Sequence, residues 1–380
     1  MKKILITSTD VMMYLFLLPH VKFLISKNYI VDIACSSLDG YKDQLYEKYL
    51  RKNLPDNSKY FKISAERSPF AFQRNYKGYN ELKNIIENEK YDLVWTNEPV
   101  MGVITRLASI KSRKKGLKVL YLAHGFHFFK NAPIANWLFY PVEKIMSYYC
   151  DLMVMINWED YYLTKNNFRR SVEHINGIGF DVDKYKNAKV DFLIKRKELN
   201  IKKNDFLILS VGELIKRKNH EVIIKAIADI NNEKLKYIIC GIGPRLNFLK
   251  ELCIKLNIEN KVQFIGQRSD IDKILKISDI FAHPSKREGL GIAPIEAMAA
   301  GLPIITSNIQ GIKDFSINRK TGFCLDPDDT SGYIDAIKIL LENSELRKSI
   351  GEYNKNVVDK YSIESSTNDM ENIIRNTIFN

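Results

Sequence analysis

The sequence predicts an α/β protein built from two parallel-sheet domains. Short β-branched runs alternate with longer amphipathic stretches along the whole chain, the rhythm of strand and helix units that share a parallel sheet. A length of 380 residues with 45% hydrophobic content also exceeds the usual ceiling for a single core, so about two domains are expected. A third observation places the join: after Asp181 the chain turns polar and lysine-rich, and a second strand series then begins.

In the first half the runs KILITS, IVDIACS, DLVWTN, KVLYLAH and DLMVMI each precede a plausible helix. In the second half the runs are FLILSVG, KYIICG, KVQFIG, DIFAHPS, LPIIT and GFCL. The expected domains are residues 1–188 and 189–360, joined near 185–200. A C-terminal helix over 361–380 carries Met370, Ile373, Ile374 and Ile378 on one side and can cross back to the first domain. Ligands of such folds bind beyond the carboxyl ends of the strands, so the expected site is a cleft between the domains.

The net charge is +13 and the pI about 9.2, a bias toward anionic partners. Five cysteines lie far apart with no CxxC, which fits buried free thiols in a reducing compartment. MKKILITSTD reads as a first strand after two lysines and lacks a signal-peptide cleavage site. The apolar stretch Val11 to Ile25 is interrupted by Pro19, His20 and Lys22, well short of the roughly 20 residues that span a bilayer.

SKREGLGIAPIEAMAAGLPIIT places Glu288 and Glu296 eight positions apart around Gly289, Leu290 and Gly291. On one helix they would be offset by about 80° and by about 12 Å of rise. Two glycines disfavour a helix there, and Pro294 suits a first helical turn, so Glu288 is expected on a loop and Glu296 in the first turn. Such a loop running into a helix N-terminus presents amide donors to a diphosphate. The carboxylates then serve vicinal diols, Glu296 a ribose and Glu288 a hexose. An acidic first turn beside a flexible loop accounts for the same residues equally well.

EGLGIAPIE with AMAAGLPIIT resembles the E-x7-E element of retaining glycosyltransferases of family 4, whose two Rossmann-like domains form the GT-B fold. SVGELIKRKNHEVIIKAI, IICGIGP, VQFIGQRSDI, HPSKREGLG, INGIGFDVDKY and the long YLAHGFHFFKNAPIANWLFYPVEKIMSYYCDLMVMINWEDY extend the likeness, in order, over nearly the whole chain. They are similar to the capsule and exopolysaccharide branch of that family. The resemblance implies that Lys218 is the donor-phosphate lysine, in a loop with Gly212 and Arg217. Many relatives have an arginine where this chain has Glu213. It also implies that Gly241 and Gly243 lie near the donor, where a missing Cβ lets backbone approach a nucleotide. The backbone at Arg268 is then placed to read a uracil, and His124, just after a strand, to meet the donor sugar. His127 is the weaker candidate.

Three D-x-D strings, at Asp181/Asp183, Asp270/Asp272 and Asp326/Asp328, suggest a metal. Two lie near helix starts, where aspartates cap, and the family uses the first structurally, so neither metal nor other cofactor is expected. Residues 101–118 carry Arg106, Lys111, Arg113, Lys114, Lys115 and Lys118 and no acid. Residues 126–149 carry Phe126, Phe128, Phe129, Trp137, Phe139, Tyr140, Tyr148 and Tyr149. Together they suit an anionic bilayer surface, although Ile134, Trp137, Leu138, Val142 and Ile145 at near-helical spacing suit a core as well. ITSTDVMMYLFLLPH has no glycine after the first strand, where many relatives have a glycine-rich turn.

The expected protein is a cytoplasmic, peripheral glycosyltransferase on the inner face of the membrane. It moves a hexose or N-acetylhexosamine from a nucleotide sugar, UDP-linked, to a polyprenyl-diphosphate-linked saccharide. The catalytic candidates are His124, Lys218 and Glu288. Rivals are a UDP-N-acetylglucosamine epimerase on the same fold, a glycosidase using the two glutamates across roughly 5–9 Å, and a basic scaffold. No nucleic acid is expected, because the basic and aromatic residues form no RNP or helix-turn-helix signature.

Overall fold

The computed structural model describes residues 1–36, 41–130, 132–168 and 170–379. The chain forms two compact units, Met1–Phe180 with Ile363–Asn380, and Asp181–Ser362. The division falls before residue 188 because Asp181 already caps the helix Val182–Lys186, which packs on the helix Ile292–Ala300 of the second unit. The last helix runs from Ile363 to Phe379 and belongs to the first unit. There it contacts the helix Met13–Ser26, and Ser366 Oγ donates to the Gly177 carbonyl at 2.7 Å.

In the first unit the strands are β1 (Lys3–Ser8), β2 (Ile30–Cys35), β3 (Tyr60–Lys62), β4 (Leu93–Asn97), β5 (Lys118–Ala123), β6 (Leu152–Met155) and β7 (Ser171–His174). They pair in the order β3-β2-β1-β4-β5-β6-β7, every pair parallel. In the second unit β8 (Phe206–Val211), β9 (Leu235–Cys240), β10 (Val262–Phe264), β11 (Ile280–His283), β12 (Ile304–Ser307) and β13 (Gly322–Leu325) pair in the order β10-β9-β8-β11-β12-β13. Central strands read as continuous apolar runs because helices cover both faces of such a sheet. Leu5, Val94, Val119 and Met153 share one core, and Ile208, Tyr237, Ile280 and Ile305 the other.

Strand order reverses between β1 and β4 in one sheet and between β8 and β11 in the other. At such a switch point the connections leave in opposite directions and open a crevice at the strands' carboxyl ends, where α/β folds bind ligands. Each unit therefore carries one position at which its topology prepares a site.

Candidate functional site

In the second unit, the loop after β8 brings Arg217 and Lys218 beside the loop after β11, which carries Ser285 to Glu288. A backbone hydrogen bond from Lys286 to the Arg217 carbonyl, 2.7 Å, ties the two loops. Glu288 Oε1 is the centre of the cluster. It accepts from Lys218 Nζ, from Arg217 at 3.2 Å and from Ser285 Oγ at 3.0 Å, and it lies 3.2 Å from His283 Nε2. Burial alone would raise the Glu288 carboxyl. The His283 hydrogen bond and the charges around it outweigh burial and hold the group well below the usual carboxylate range. Burial lowers His283 in turn, so near neutral pH the balancing cations are Lys218 and Arg217 rather than an imidazolium.

Glu288 and Lys218 were both expected at the site, and the structure pairs them with each other. His283 and Ser285 were missed. HPSKREG contains them, but only the fold of the loop turns both toward Glu288. Arg217 also reaches Glu213 at 3.5 Å, so Glu213 pairs with a cation of the cluster.

Gly291, at φ 87°, caps the helix Ile292–Ala300 with no side-chain hydrogen bond. Its amide end therefore stays available to an anion. Leu290 is buried under the same loop. The helix begins two residues before Pro294, so Glu296 opens the second turn, not the first. Tyr185 Oη, from the short helix Val182–Lys186, donates to Glu296 Oε1 at 2.6 Å. Burial raises the Glu296 carboxyl against that hydrogen bond and the charge of Lys184.

The glycines also serve the packing of the loops. A Cβ on Gly241 would lie 1.9 Å from the Gly212 carbonyl oxygen, and one on Gly243 would lie 2.6 Å from that of Leu214. These residues lack a side chain so that their turn can pack against backbone 212–214. Gly212 faces the Lys218 stem, and a Cβ on Gly311 would meet the Gly289 carbonyl at 1.9 Å. The glycine pattern thus stacks the loops that aim Lys218 and Glu288. The Arg268 side chain pairs with Asp270 and Glu198, and Lys195 joins the same two carboxylates.

In the first unit His124 follows β5, and its Nε2 lies 3.2 Å from Asn97 Oδ1 at the end of β4. Asn97 is buried, and its Nδ2 donates to the Thr7 carbonyl at 3.2 Å. That anchor turns Oδ1 toward the imidazole. An amide oxygen only accepts, so neutral His124 carries its proton on Nε2 and presents Nδ1 as an acceptor. Burial, with the charge of Arg67 adding, lowers the ring to about 4. Next to Asn97, Glu98 adopts φ 67° and ψ 152°, a region essentially reserved for glycine that costs about 1–3 kcal/mol elsewhere.

Of the basic and aromatic residues, several are internal. Phe126, Phe128 and Phe129 are buried, and Arg106, fully buried, pairs with Glu143 at 2.9 Å. Arg113 is held by Asp151. The core reading of the 134–145 segment does not hold, because Ile134, Leu138, Val142 and Ile145 are 89%, 74%, 45% and 58% exposed. The three D-x-D strings serve caps and ion pairs, with Asp181 accepting from the Lys184 amide, Asp270 bound to Arg268 and Asp326 accepting from the Asp328 amide. Among the described residues no group of three or more His, Cys, Asp or Glu could hold a metal ion.

The family described as glycosyl transferases group 1 matches residues 191–357, and the one described as glycosyl transferase 4-like matches residues 3–157. A relative named as glycosyltransferase EpsD in Bacillus subtilis is 32% identical over 98% of this chain and 96% of its own length. The chain belongs to the group 1, family 4-like glycosyltransferases. A second relative of this glycosyltransferase is the UDP-Gal:alpha-D-GlcNAc-diphosphoundecaprenol alpha-1,3-galactosyltransferase of Escherichia coli, 26% identical over 86% of each chain. The crystal structure of HepE from Anabaena, in complex with UDP and glucose, shares the fold with a TM-score of 0.81 at 19% identity, covering 99% of this chain and all of its own. The glycosyltransferase thus has the GT-B architecture over its full length.

Proposed function

We propose that this glycosyltransferase moves a hexose or N-acetylhexosamine from UDP to a saccharide carried on a polyprenyl diphosphate, with retention at the anomeric carbon, in capsule, exopolysaccharide or O-antigen assembly. The observation that carries the reading is the Lys218, Arg217 and Glu288 cluster at a switch point. Two cations beside an ionised carboxylate suit a diphosphate and a sugar bound next to each other, which supports the reading. The diphosphate replaces Glu288 as the partner of Lys218 and Arg217, with amides at Gly291 completing its cradle. Glu288, released from the lysine, accepts hydrogen bonds from the hexose, and Glu296, steadied by Tyr185, accepts those of the ribose.

As the bond from the anomeric carbon to phosphate oxygen breaks, Lys218 and Arg217 stabilise the charge gathering on the diphosphate, the principal electrostatic demand of the step. The departing phosphate oxygen takes the acceptor hydroxyl's proton, and the new glycosidic bond forms on the same face of the sugar. His124 Nδ1 accepts a sugar hydroxyl, not a proton from the leaving group. No metal enters this scheme. The Escherichia coli relative, named for UDP-galactose and a diphosphoundecaprenol glycolipid, supports this donor and acceptor class, and the structurally similar HepE binds UDP and glucose.

The acceptor lipid implies a membrane face, and the helix Phe139–Met146 has its polar side turned inward. Glu143 is buried against Arg106 and Tyr121, while Ile134, Trp137, Leu138, Phe139, Val142, Ile145 and Tyr148 stay exposed. Exposed Lys130 and Lys144 accompany them, an arrangement that suits shallow insertion into an anionic leaflet. No described helix is long and apolar enough to cross a membrane.

The test is incubation with a panel of UDP- and GDP-sugars and lipid-linked saccharides, following UDP release and glycolipid mass and determining the anomer by NMR. Retained configuration with one added sugar is expected. An inverted product overturns the retaining mechanism, and turnover of UDP-N-acetylglucosamine without acceptor favours the epimerase. Sedimentation with phosphatidylglycerol vesicles tests the membrane face, and Leu138→Glu with Ile145→Glu should abolish it.

A further inference from the structure

The switch point of the first unit holds a second set of groups. Glu98, at the end of β4, is 5% exposed, and its Oε2 accepts from Ser8 Oγ at 2.8 Å, Thr9 N at 2.7 Å and Thr9 Oγ1 at 2.6 Å. Its Oε1 makes no hydrogen bond among the described residues and lies 3.4 Å from the guanidinium of Arg67. Arg67, from the loop after β3, is 67% exposed in its side chain and also reaches Asp10 at 3.2 Å. Asp10 directs its other carboxylate oxygen to the Met12 amide at 2.8 Å.

We infer that Asp10 and Arg67, positioned by Glu98, form a subsite in the first unit that binds the hydroxyl groups of a neutral sugar and excludes phosphate. Resting on the glycosyltransferase reading, it takes the saccharide portion of the acceptor.

Two features decide against phosphate. The amide end of the helix Met13–Ser26, where an anion would ordinarily dock, is already met by the Asp10 carboxylate. The cluster also carries two carboxylates against one guanidinium, with His124 beside it uncharged, so its net charge is negative. A further anion is repelled. Sugar hydroxyls both donate and accept, and they match an alternation of carboxylate and guanidinium. This also accounts for the missing glycine after β1: a glycine loop would present bare amides, whereas Thr9 commits its amide, and Ser8 and Thr9 their hydroxyls, to holding Glu98. Glu98 keeps a strained backbone and one oxygen without a hydrogen bond, an arrangement that makes sense if its task is to aim Arg67.

Saturation-transfer NMR on the full-length protein, with saturating UDP, tests the subsite. The probes are methyl α-D-glucopyranoside and methyl N-acetyl-α-D-glucosaminide, with inorganic pyrophosphate as competitor. At least one glycoside should receive saturation, weakened about tenfold by Arg67→Gln or Asp10→Asn, the loss expected for a hydrogen bond to a charged group. Pyrophosphate should not displace it. Absence of transfer to both glycosides, unchanged transfer in both variants, or displacement by pyrophosphate overturns the inference. Arg67 is exposed, so its replacement leaves folding intact. A UDP-induced rise in melting temperature reports separately on the donor site: if wild-type protein shows none, the donor reading fails, and the glycoside experiment alone judges this subsite.

Discussion

The two switch points share a topology and differ in how they hold charge. In the second unit a buried carboxylate, Glu288, is neutralised by Lys218 and Arg217, and the adjoining helix end carries no side-chain cap. In the first unit Glu98 is held chiefly by uncharged hydroxyls and an amide, and the helix end is already met by Asp10. On the readings proposed above, the same crevice takes a diphosphate in one sheet and neutral hydroxyls in the other. What the fold supplies is position; a few residues at the strand ends choose the ligand.

Glu288→Gln and Lys218→Ala break the comparison most directly. Each should slow sugar transfer by about 10²–10³-fold, the usual cost of losing one group that stabilises developing charge. The two side chains are 11% and 12% exposed, and breaking a buried pair costs about 3–5 kcal/mol, so both variants should melt lower without ligand. They should then diverge. Glu288→Gln frees Lys218 for the diphosphate and should show a larger UDP-induced rise in melting temperature than wild type, whereas Lys218→Ala should show a smaller one. Equal responses would mean that Glu288 does not compete with the diphosphate.

Acid should weaken both units, and the second over a wider range. Burial lowers His20, in the first unit, to about 4 and His220, in the second, to about 3, while an unfolded histidine titrates near about 6.5. Below that value the unfolded chain binds protons that the folded one refuses, so stability falls as pH drops from about 6.5 toward 4, by roughly 3 kcal/mol for His20 alone. Glu288 is depressed in the fold, so its contribution is complete above the unfolded value of about 4.3 and is lost below it. Thermal melts from pH 8 to 4 should show this decline, and proteolysis between about pH 4.3 and 3 should cut the second unit first. A melting temperature independent of pH below 6.5 contradicts the buried neutral histidines.

The smallest effect belongs to Tyr185→Phe, which removes one hydrogen bond to Glu296. The KM for the UDP-sugar should rise about three- to tenfold, in line with one hydrogen bond of about 0.5–1.5 kcal/mol, with kcat little changed. A fall in kcat at constant KM would place Tyr185 in the chemical step instead.

Legibility followed burial. The central strands could be read because both faces of a parallel sheet are covered, so their apolar runs are unbroken. Tyr60–Lys62 and Ser171–His174 escaped because they are the edge strands β3 and β7, short and only partly buried, and neither condition writes an apolar run. Glu288, Lys218 and His124 could be singled out by motif and resemblance, because their loops follow strands whose ends were already recognisable. Tyr185, Asn97 and Glu98 could not: each acts through a partner distant in sequence, as Tyr185 does through Glu296.

By itself the sequence determined the two α/β units, the family and the loops that carry the candidate groups, since these depend on local periodicity and on short motifs. Tertiary structure alone decided the pairing of Glu288 with Lys218, the use of glycines 241 and 243 for backbone packing, and the exposure of Ile134 to Ile145 with Glu143 turned inward. Each of those depends on which strand lies beside which and which face of a helix meets the sheet, and neither is written in the spacing of residues along one segment.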